Sequence, residues 1–271
     1  MSSKSKEVTL PRSAAGIIDS HAHVVREFFQ EEQTEVIKRA FDSGLNHMVN
    51  PGVTVNDLDE LLEIKSKHEN ISIAVGQHPH DAKDFTSDMR DRLQHALEKH
   101  DLVAVGECGL DYYYNNSERD AQINCFREQI RLARKYEKPV IVHCRDAWDD
   151  AFQCLTEEGQ GEVRGVFHCF TGGPELLPAI EKLGFYVSFS GILTFGSAKN
   201  IQEAAPLVAA DRILVETDCP FLAPQKVRGK RNEPSYVWFV AEKLAELRGT
   251  TLDDVAQQAS NNARALFNLP G

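Results

Sequence analysis

The chain has 271 residues, an apolar fraction of 42% and a formal net charge of −11. That length suits one large α/β domain or two small ones, with apolar content enough for a sizeable core. The acidity speaks against a protein that coats nucleic acid, and no run approaches the ~18 apolar residues of a membrane span.

The first fifteen residues, MSSKSKEVTLPRSAA, lack the apolar centre of a secretory signal and read as a polar, mobile tail. From residue 16 to 271, short apolar segments alternate with helical stretches. Strands are expected at 16–20, 45–50, 71–76, 102–107, 139–143, 164–168, 185–190 and 212–216. Their starts lie 21 to 37 residues apart, the spacing of a strand plus its crossover helix. LVAVG and RILVET are nearly continuous apolar runs, as parallel strands covered on both faces require.

Between them, residues 118–136 carry Ile123, Phe126, Ile130, Leu132 and Ala133 as an apolar stripe amid charge. Further helices are expected at 236–248 and 252–267, the second capped by Thr251 with Asp254 three positions on. Eight strand–helix units without a linker-like break predict an α/β fold, a single (β/α)₈ TIM barrel. A doubly wound open sheet is the alternative, weakened because the first βα turn lacks G-x-G-x-x-G. The 6 cysteines show no C-x-x-C spacing, which predicts reduced thiols in a cytoplasmic protein.

His21, His23, Glu107, His143, His168 and Asp218 fall at the expected ends of five strands, and all are types that bind divalent metals. Each alone has an ordinary explanation: turn histidines, a structural salt bridge, satisfied core histidines. His21 and His23 project the same way along a strand, together with Asp19. Strand ends at the C-terminal face of a barrel form its active site, so the six together point to a metal centre there. Cys108, Cys144, Cys169 and Cys219 each follow a proposed ligand or its neighbour. Alternation turns their thiols away, into the role of small buried hydrophobes.

The strings DSHAHV, GECGLDYY, VIVHCRDA, HCFTG and VETDCPFLAP, followed by RGKRNEP, closely resemble the TatD family of metal-dependent hydrolases, amidohydrolase-like TIM barrels. The resemblance runs from about residue 17 to 267. It implies two divalent ions, with His21, His23 and Asp218 holding the first, His143 and His168 the second, and Glu107 bridging them. Cysteine at 108 and 219 and a longer amino-terminal tail are the departures from the family pattern, and neither touches a ligand. Oxygen and imidazole donors suit Mg²⁺, Mn²⁺ or Zn²⁺. Two such ions activate a water, with Asp218 as its base or only as a ligand.

The surrounding loops offer substrate contacts. The resemblance makes His78 a substrate-contacting histidine, with helix capping as the other reading. Arg145 is placed to meet a phosphate or to pair with Asp149. Tyr112, Tyr113 and Tyr114 follow strand four, where an exposed ring stacks on a base and at least one ring belongs to the core. Arg228, Lys230 and Arg231, with Lys226, put positive charge where a barrel commonly binds phosphate, though a solvated loop reads equally well. The resemblance implies a deoxyribonuclease of exonuclease type, with nucleic acid as substrate, DNA in the first place and RNA as the alternative. Small-molecule hydrolysis of a lactone, cyclic amide or ester is the alternative, and a non-catalytic binding protein is a third reading.

Overall fold

The structure, a computed structural model, describes residues 8–270; residues 1–7 of the expected tail lie outside it, and residues 8–15 form no helix or strand. The strands are β1 Ile17–Asp19, β2 Leu45–Pro51, β3 Ile71–Ala74, β4 Val105–Asp111, β5 Val140–Arg145, β6 Gly165–Phe167, β7 Tyr186–Phe189 and β8 Ile213–Val215. The helices are α1 Arg26–Phe29, α2 Gln33–Asp42, α3 Leu58–Lys67, α4 Ser87–Lys99, α5 Arg119–Lys135, α6 Trp148–Gly159, α7 Leu177–Lys182, α8 Lys199–Ala204, α9 Val237–Arg248 and α10 Leu252–Phe267.

Parallel ladders run β1 to β3 and β4 to β8. Two seams complete the ring. A bridge between Val75 and Val105, with Val103 N–H donating to Ile73 O at 3.0 Å, joins β3 to β4. Ser20 N–H and its hydroxyl both donate to Val215 O, at 3.1 and 3.0 Å, joining β1 to β8. The eight strands therefore form a TIM barrel, and the edge strands of the open-sheet alternative are paired.

Strand alternation divides the apolar side chains between two faces. Ile18, Val49, Ala74, Ala104, Ile141, Val166, Tyr186 and Leu214 share one cluster with Ala263, Leu266, Phe267 and Leu269 from the end of α10 and beyond. This cluster is the barrel interior, and α10 closes its floor. The second cluster joins the other strand face to the outer helices. α10 begins with a reciprocal cap, Asp254 N–H donating to Thr251 Oγ1 at 3.1 Å and Thr251 N–H to Asp254 Oδ2 at 3.2 Å. Such a cap contributes about 1 kcal/mol. The helix ends at Asn268 in the left-handed region, φ 54°.

Strand four differs from its expected span of 102–107, because it runs on to Asp111. The expected strand stops at Glu107, yet β4 pairs with β5 through Asp111 opposite Arg145. That closeness demands glycine at 109, where an added Cβ would lie 2.0 Å from His143 O. Glu107 is therefore in mid-strand, and His143 lies inside β5, rather than either ending its strand.

Candidate metal centre

Two residues beyond the interior layer position on five of the eight strands, the interior turns polar. Ile18 is followed by Ser20, Ile141 by His143, Val166 by His168, Tyr186 by Ser188 and Leu214 by Glu216. Period two thus carries the strands from a dry floor to a donor-rich mouth. His21 and His23 meet Asp218 because the ends of β1 and β8 zip together: Asp218 N–H donates to His21 O at 2.9 Å and His23 N–H to Cys219 O at 3.0 Å. Asp218 and Cys169 occupy the left-handed region, φ 56° and 44°. Strained backbone of this kind clusters at functional sites and persists where neighbours over-determine it.

The two oxygens of the buried Glu107 carboxylate face different neighbours. Oε2 lies 3.3 Å from His21 Nε2 and 3.5 Å from His23 Nε2. Asp218 Oδ1 is on this side, 3.9 and 3.6 Å from the same nitrogens. Oε1 lies 2.8 Å from His168 Nε2, 3.1 Å from His143 Nδ1 and 3.2 Å from His78 Nε2. Burial opposes ionisation of Glu107, but His168 and the other histidines hold its carboxyl well below the usual range. Burial likewise opposes charge on His23, yet Asp218 and Glu107 push it up to about 10.

For the neutral imidazoles that ligate a cation, hydrogen bonds on the far ring nitrogens decide which nitrogen offers a lone pair. His23 Nδ1 sits 3.0 Å from Pro51 O, a pure acceptor, so it carries the proton and Nε2 is left facing Glu107. His143 Nε2 donates to Asp111 Oδ2 at 2.9 Å, leaving Nδ1 toward the site. His168 Nδ1 donates to Glu216 Oε1 at 3.3 Å, leaving Nε2. His78 is the reverse: its Nδ1 accepts from His80 N–H at 3.2 Å, so Nε2 carries hydrogen. Burial pushes His78 down to about 4, which keeps it neutral. His78 thus both caps the turn at Pro79 and presents a donor to the centre.

These residues fit hard or borderline divalent cations. Three close groups of donors, His21–His23–Glu107, His78–Glu107–His143 and His21–His168–Glu216, each have their ligand atoms within 4.8 Å of one another. His168 Nε2 is buried and, though 2.8 Å from Glu107 Oε1, is not aligned for a hydrogen bond. That is the relation of two donors aimed at a shared ion. The thiols stay out: Cys108, Cys144 and Cys219 are buried and pushed up by burial, and Cys169 Sγ is 3.1 Å from Ser190 Oγ.

Three supporting carboxylates lie outside the six expected ligands. Asp111 Oδ2 accepts from His143 and, at 3.2 Å, lies beside His80 Nε2. Glu216 orients His168 and accepts from Cys169 N–H at 2.7 Å. Asp19, expected to share the face of His21 and His23, instead binds Thr217 N–H and hydroxyl at 3.0 and 2.6 Å and locks β1 to β8. Burial pushes Asp19 up to about 8 against those bonds. The available signal was a second acidic residue near each ligand on its own strand. Two buried amides of α5 brace the loops: Gln122 bonds both backbone groups of Asp111, and Gln129 those of Gln77.

The expected substrate contacts divide. Tyr112 turns outward, donating its hydroxyl to Asp150 Oδ2 at 2.6 Å with Arg119 over its ring. The exposed rings are Tyr113 and Tyr114, and Arg145 stacks over them at 3.8 and 4.9 Å instead of pairing with Asp149. In the loop after β8, Lys226 pairs with Glu242, Arg231 with Glu32, and Arg228 lies over Phe195, while Lys230 is exposed. None of Arg228, Lys230 and Arg231 is hydrogen-bonded to the six donors among the described residues. Asn232 fixes this loop, donating to Thr217 O and Phe221 O, and Pro234 opens the turn into α9.

A TIM barrel that gathers imidazole and carboxylate donors at its C-terminal mouth defines a metal-dependent hydrolase. Residues 18–268 match the family described as TatD related DNase, and the chain belongs to that family. It is 40% identical over 253 residues to the uncharacterized metal-dependent hydrolase YabD of Bacillus subtilis (strain 168), covering 93% of this chain and 99% of that one. It is 33% identical over 247 residues to a 3'-5' ssDNA/RNA exonuclease TatD of Erwinia amylovora, covering 89% and 95%. The crystal structure of YJJV, a TatD homolog from Escherichia coli K12, superposes with a TM-score of 0.87 at 28% identity, covering 94% of this chain and 98% of that one. Among the described residues no helix is long and apolar enough to cross a membrane.

Proposed function

We propose that the protein is a two-metal phosphodiesterase that removes nucleotides from the end of a DNA strand, with RNA as a possible second substrate. The observation that carries the reading is the division of Glu107, with His21 and His23 at one oxygen and His143 and His168 at the other. In this reading His21, His23 and Asp218 would hold one cation, His143 and His168 would hold the second, and Glu107 would serve both. Mg²⁺, Mn²⁺ and Zn²⁺ all suit such donors. Bound divalent cations supply Lewis acidity toward a phosphoryl oxygen and lower the pKa of a water.

The chain's own groups complete the chemistry. Burial opposes ionisation of Asp218, but His23 and the neighbouring histidines keep its carboxyl low, so it is an acceptor at neutral pH. It orients the attacking water and takes its proton. Neutral His78, with hydrogen on Nε2, donates to a non-bridging phosphate oxygen, and Arg145 adds positive charge beside His143. The nucleic-acid substrate is favoured by the family and by the name of the Erwinia relative.

The test is turnover of end-labelled single-stranded DNA and RNA beside a panel of lactones, cyclic amides and esters, each with Mg²⁺, Mn²⁺ or Zn²⁺. Stepwise shortening of the oligonucleotides is expected. Turnover confined to the panel would overturn the phosphodiesterase reading, and activity surviving thorough chelation would overturn the metal centre. Asp218→Asn is expected to lower kcat by about a hundredfold or more, the scale of a lost proton acceptor. Full activity in that variant would remove Asp218 from the chemistry.

A further inference from the structure

Large hydrophobic side chains exposed on the described surface are few: Tyr113, Tyr114, Leu207 and Phe221, at 59, 56, 64 and 49% exposure. Three of these four stand at the mouth, where solvation alone would favour polar groups. They fall into two sets on opposite sides of the Glu107 carboxylate.

On the Oε2 side, Phe221 and Phe28 meet edge to face with centroids 5.3 Å apart, and each lies within 6.4 Å of the His23 ring. On the Oε1 side, Tyr114 packs 5.4 Å from His80, which in turn packs 4.4 Å from His78 and 6.2 Å from His143. Tyr113 and Tyr114 cross at 5.0 Å, and Arg145 lies over both.

Both sets are fixed to the backbone that carries the metal donors. Phe221 N–H donates to Asp218 O at 3.0 Å, and its carbonyl accepts from the buried Asn232. The amides of Tyr113 and Tyr114 donate to Asp111 Oδ1 at 3.0 and 2.9 Å, while the other oxygen of Asp111 holds His143. Rings held this way lose little freedom when a flat ligand settles on them.

We propose that the two aromatic sets are nucleobase platforms, Phe28–Phe221 for the base on one side of the scissile phosphate and Tyr113–Tyr114–Arg145 for the base on the other. The inference rests on the phosphodiesterase reading and sharpens it. A base offers its face to such a ring only when it is unstacked, so each platform is expected to engage a base freed from its neighbours. Stacking tolerates any base, so cleavage is expected to be indifferent to sequence at both positions.

The experiment compares end-labelled single-stranded DNA with the same strand carrying an abasic residue on one or the other side of the first scissile phosphate. With the unaltered enzyme, each abasic residue is expected to lower kcat/KM by roughly tenfold. Phe221→Ala is expected to abolish the penalty at one position and keep it at the other, and the double variant Tyr113→Ala, Tyr114→Ala to do the reverse. Phe221→Trp is expected to restore the lost sensitivity, which a change in folding would not do. Penalties that are absent in the unaltered enzyme, or unchanged in both variants, would overturn the platforms while leaving the phosphodiesterase standing. No turnover of any oligonucleotide would overturn both.

Discussion

The two ends of this barrel are built from the same strands and obey opposite rules. At the floor, Ile18, Ile141, Val166 and Leu214 pack against Leu266 and Phe267. Two residues further along the same strands, Ser20, His143, His168 and Glu216 face inward, and buried polar atoms such as His21 Nδ1 and Glu216 Oε2 lack protein partners. The floor maximises burial, whereas the mouth keeps charged groups close together at a cost in desolvation. Stability and chemistry are therefore expected to separate along the barrel axis.

The largest expected effect is at the mouth. Glu107→Gln removes the charge shared by both donor groups, and kcat/KM is expected to fall at least about a thousandfold, or ~4 kcal/mol of transition-state stabilisation. The histidines around it shed protons once the carboxylate is gone, so the unfolding midpoint is expected to move little. Steady-state kinetics and urea unfolding check both halves.

At the floor the pattern reverses. Phe267→Ala opens a void among buried aliphatics and is expected to cost about 3–5 kcal/mol in urea unfolding, with kcat per folded molecule preserved. A Glu107 variant that unfolds as readily as the Phe267 variant would break the comparison.

The smallest expected effect concerns His47, low in the barrel on β2, whose Nε2 lies 2.8 Å from Ser72 Oγ. Burial, then the charges of Arg264 and Lys65, push it down from 6.5 to about 4. Because the folded value lies below the unfolded one, its contribution to stability is intact above pH 6.5 and is lost as pH falls toward 4. His47→Gln keeps a polar partner for Ser72 without titrating. Urea unfolding of this variant is expected to show a flatter pH dependence across that window; an unchanged slope would assign acid sensitivity elsewhere.

Most of the fold was legible because its signals are local. Of the expected stripe, Phe126, Ile130, Leu132 and Ala133 became the buried face of α5 and Ile123 its half-buried edge, and the pair Thr251–Asp254 became the cap of α10. The six donors chosen by type and place lie close together, and period two accounts for His143 and His168, which share a face with Ile141 and Val166. The contacts around that centre were less legible. Among three consecutive tyrosines, only packing against Asp150 and Arg119 reserves Tyr112 for the structure and leaves Tyr113 and Tyr114 exposed.

The sequence by itself determined the alternation of strand and helix, the register of aliphatic and donor layers in β5, β6 and β8, and the chemical types at the mouth. Tertiary structure alone decided how Glu107 enters it. Strict alternation from Ala104 turns Gly106 inward and Glu107 away. A register shift between Val105 and Cys108 along β5 reverses this and brings Glu107 among five histidines. It also decided which nitrogen of each histidine faces the centre, and that Phe28 meets Phe221 across the joined ends of β1 and β8. The physical reason is the same in each case: side-chain direction at a shifted register, a tautomer, or a cross-barrel contact is set by the neighbouring strand, and no local period encodes it.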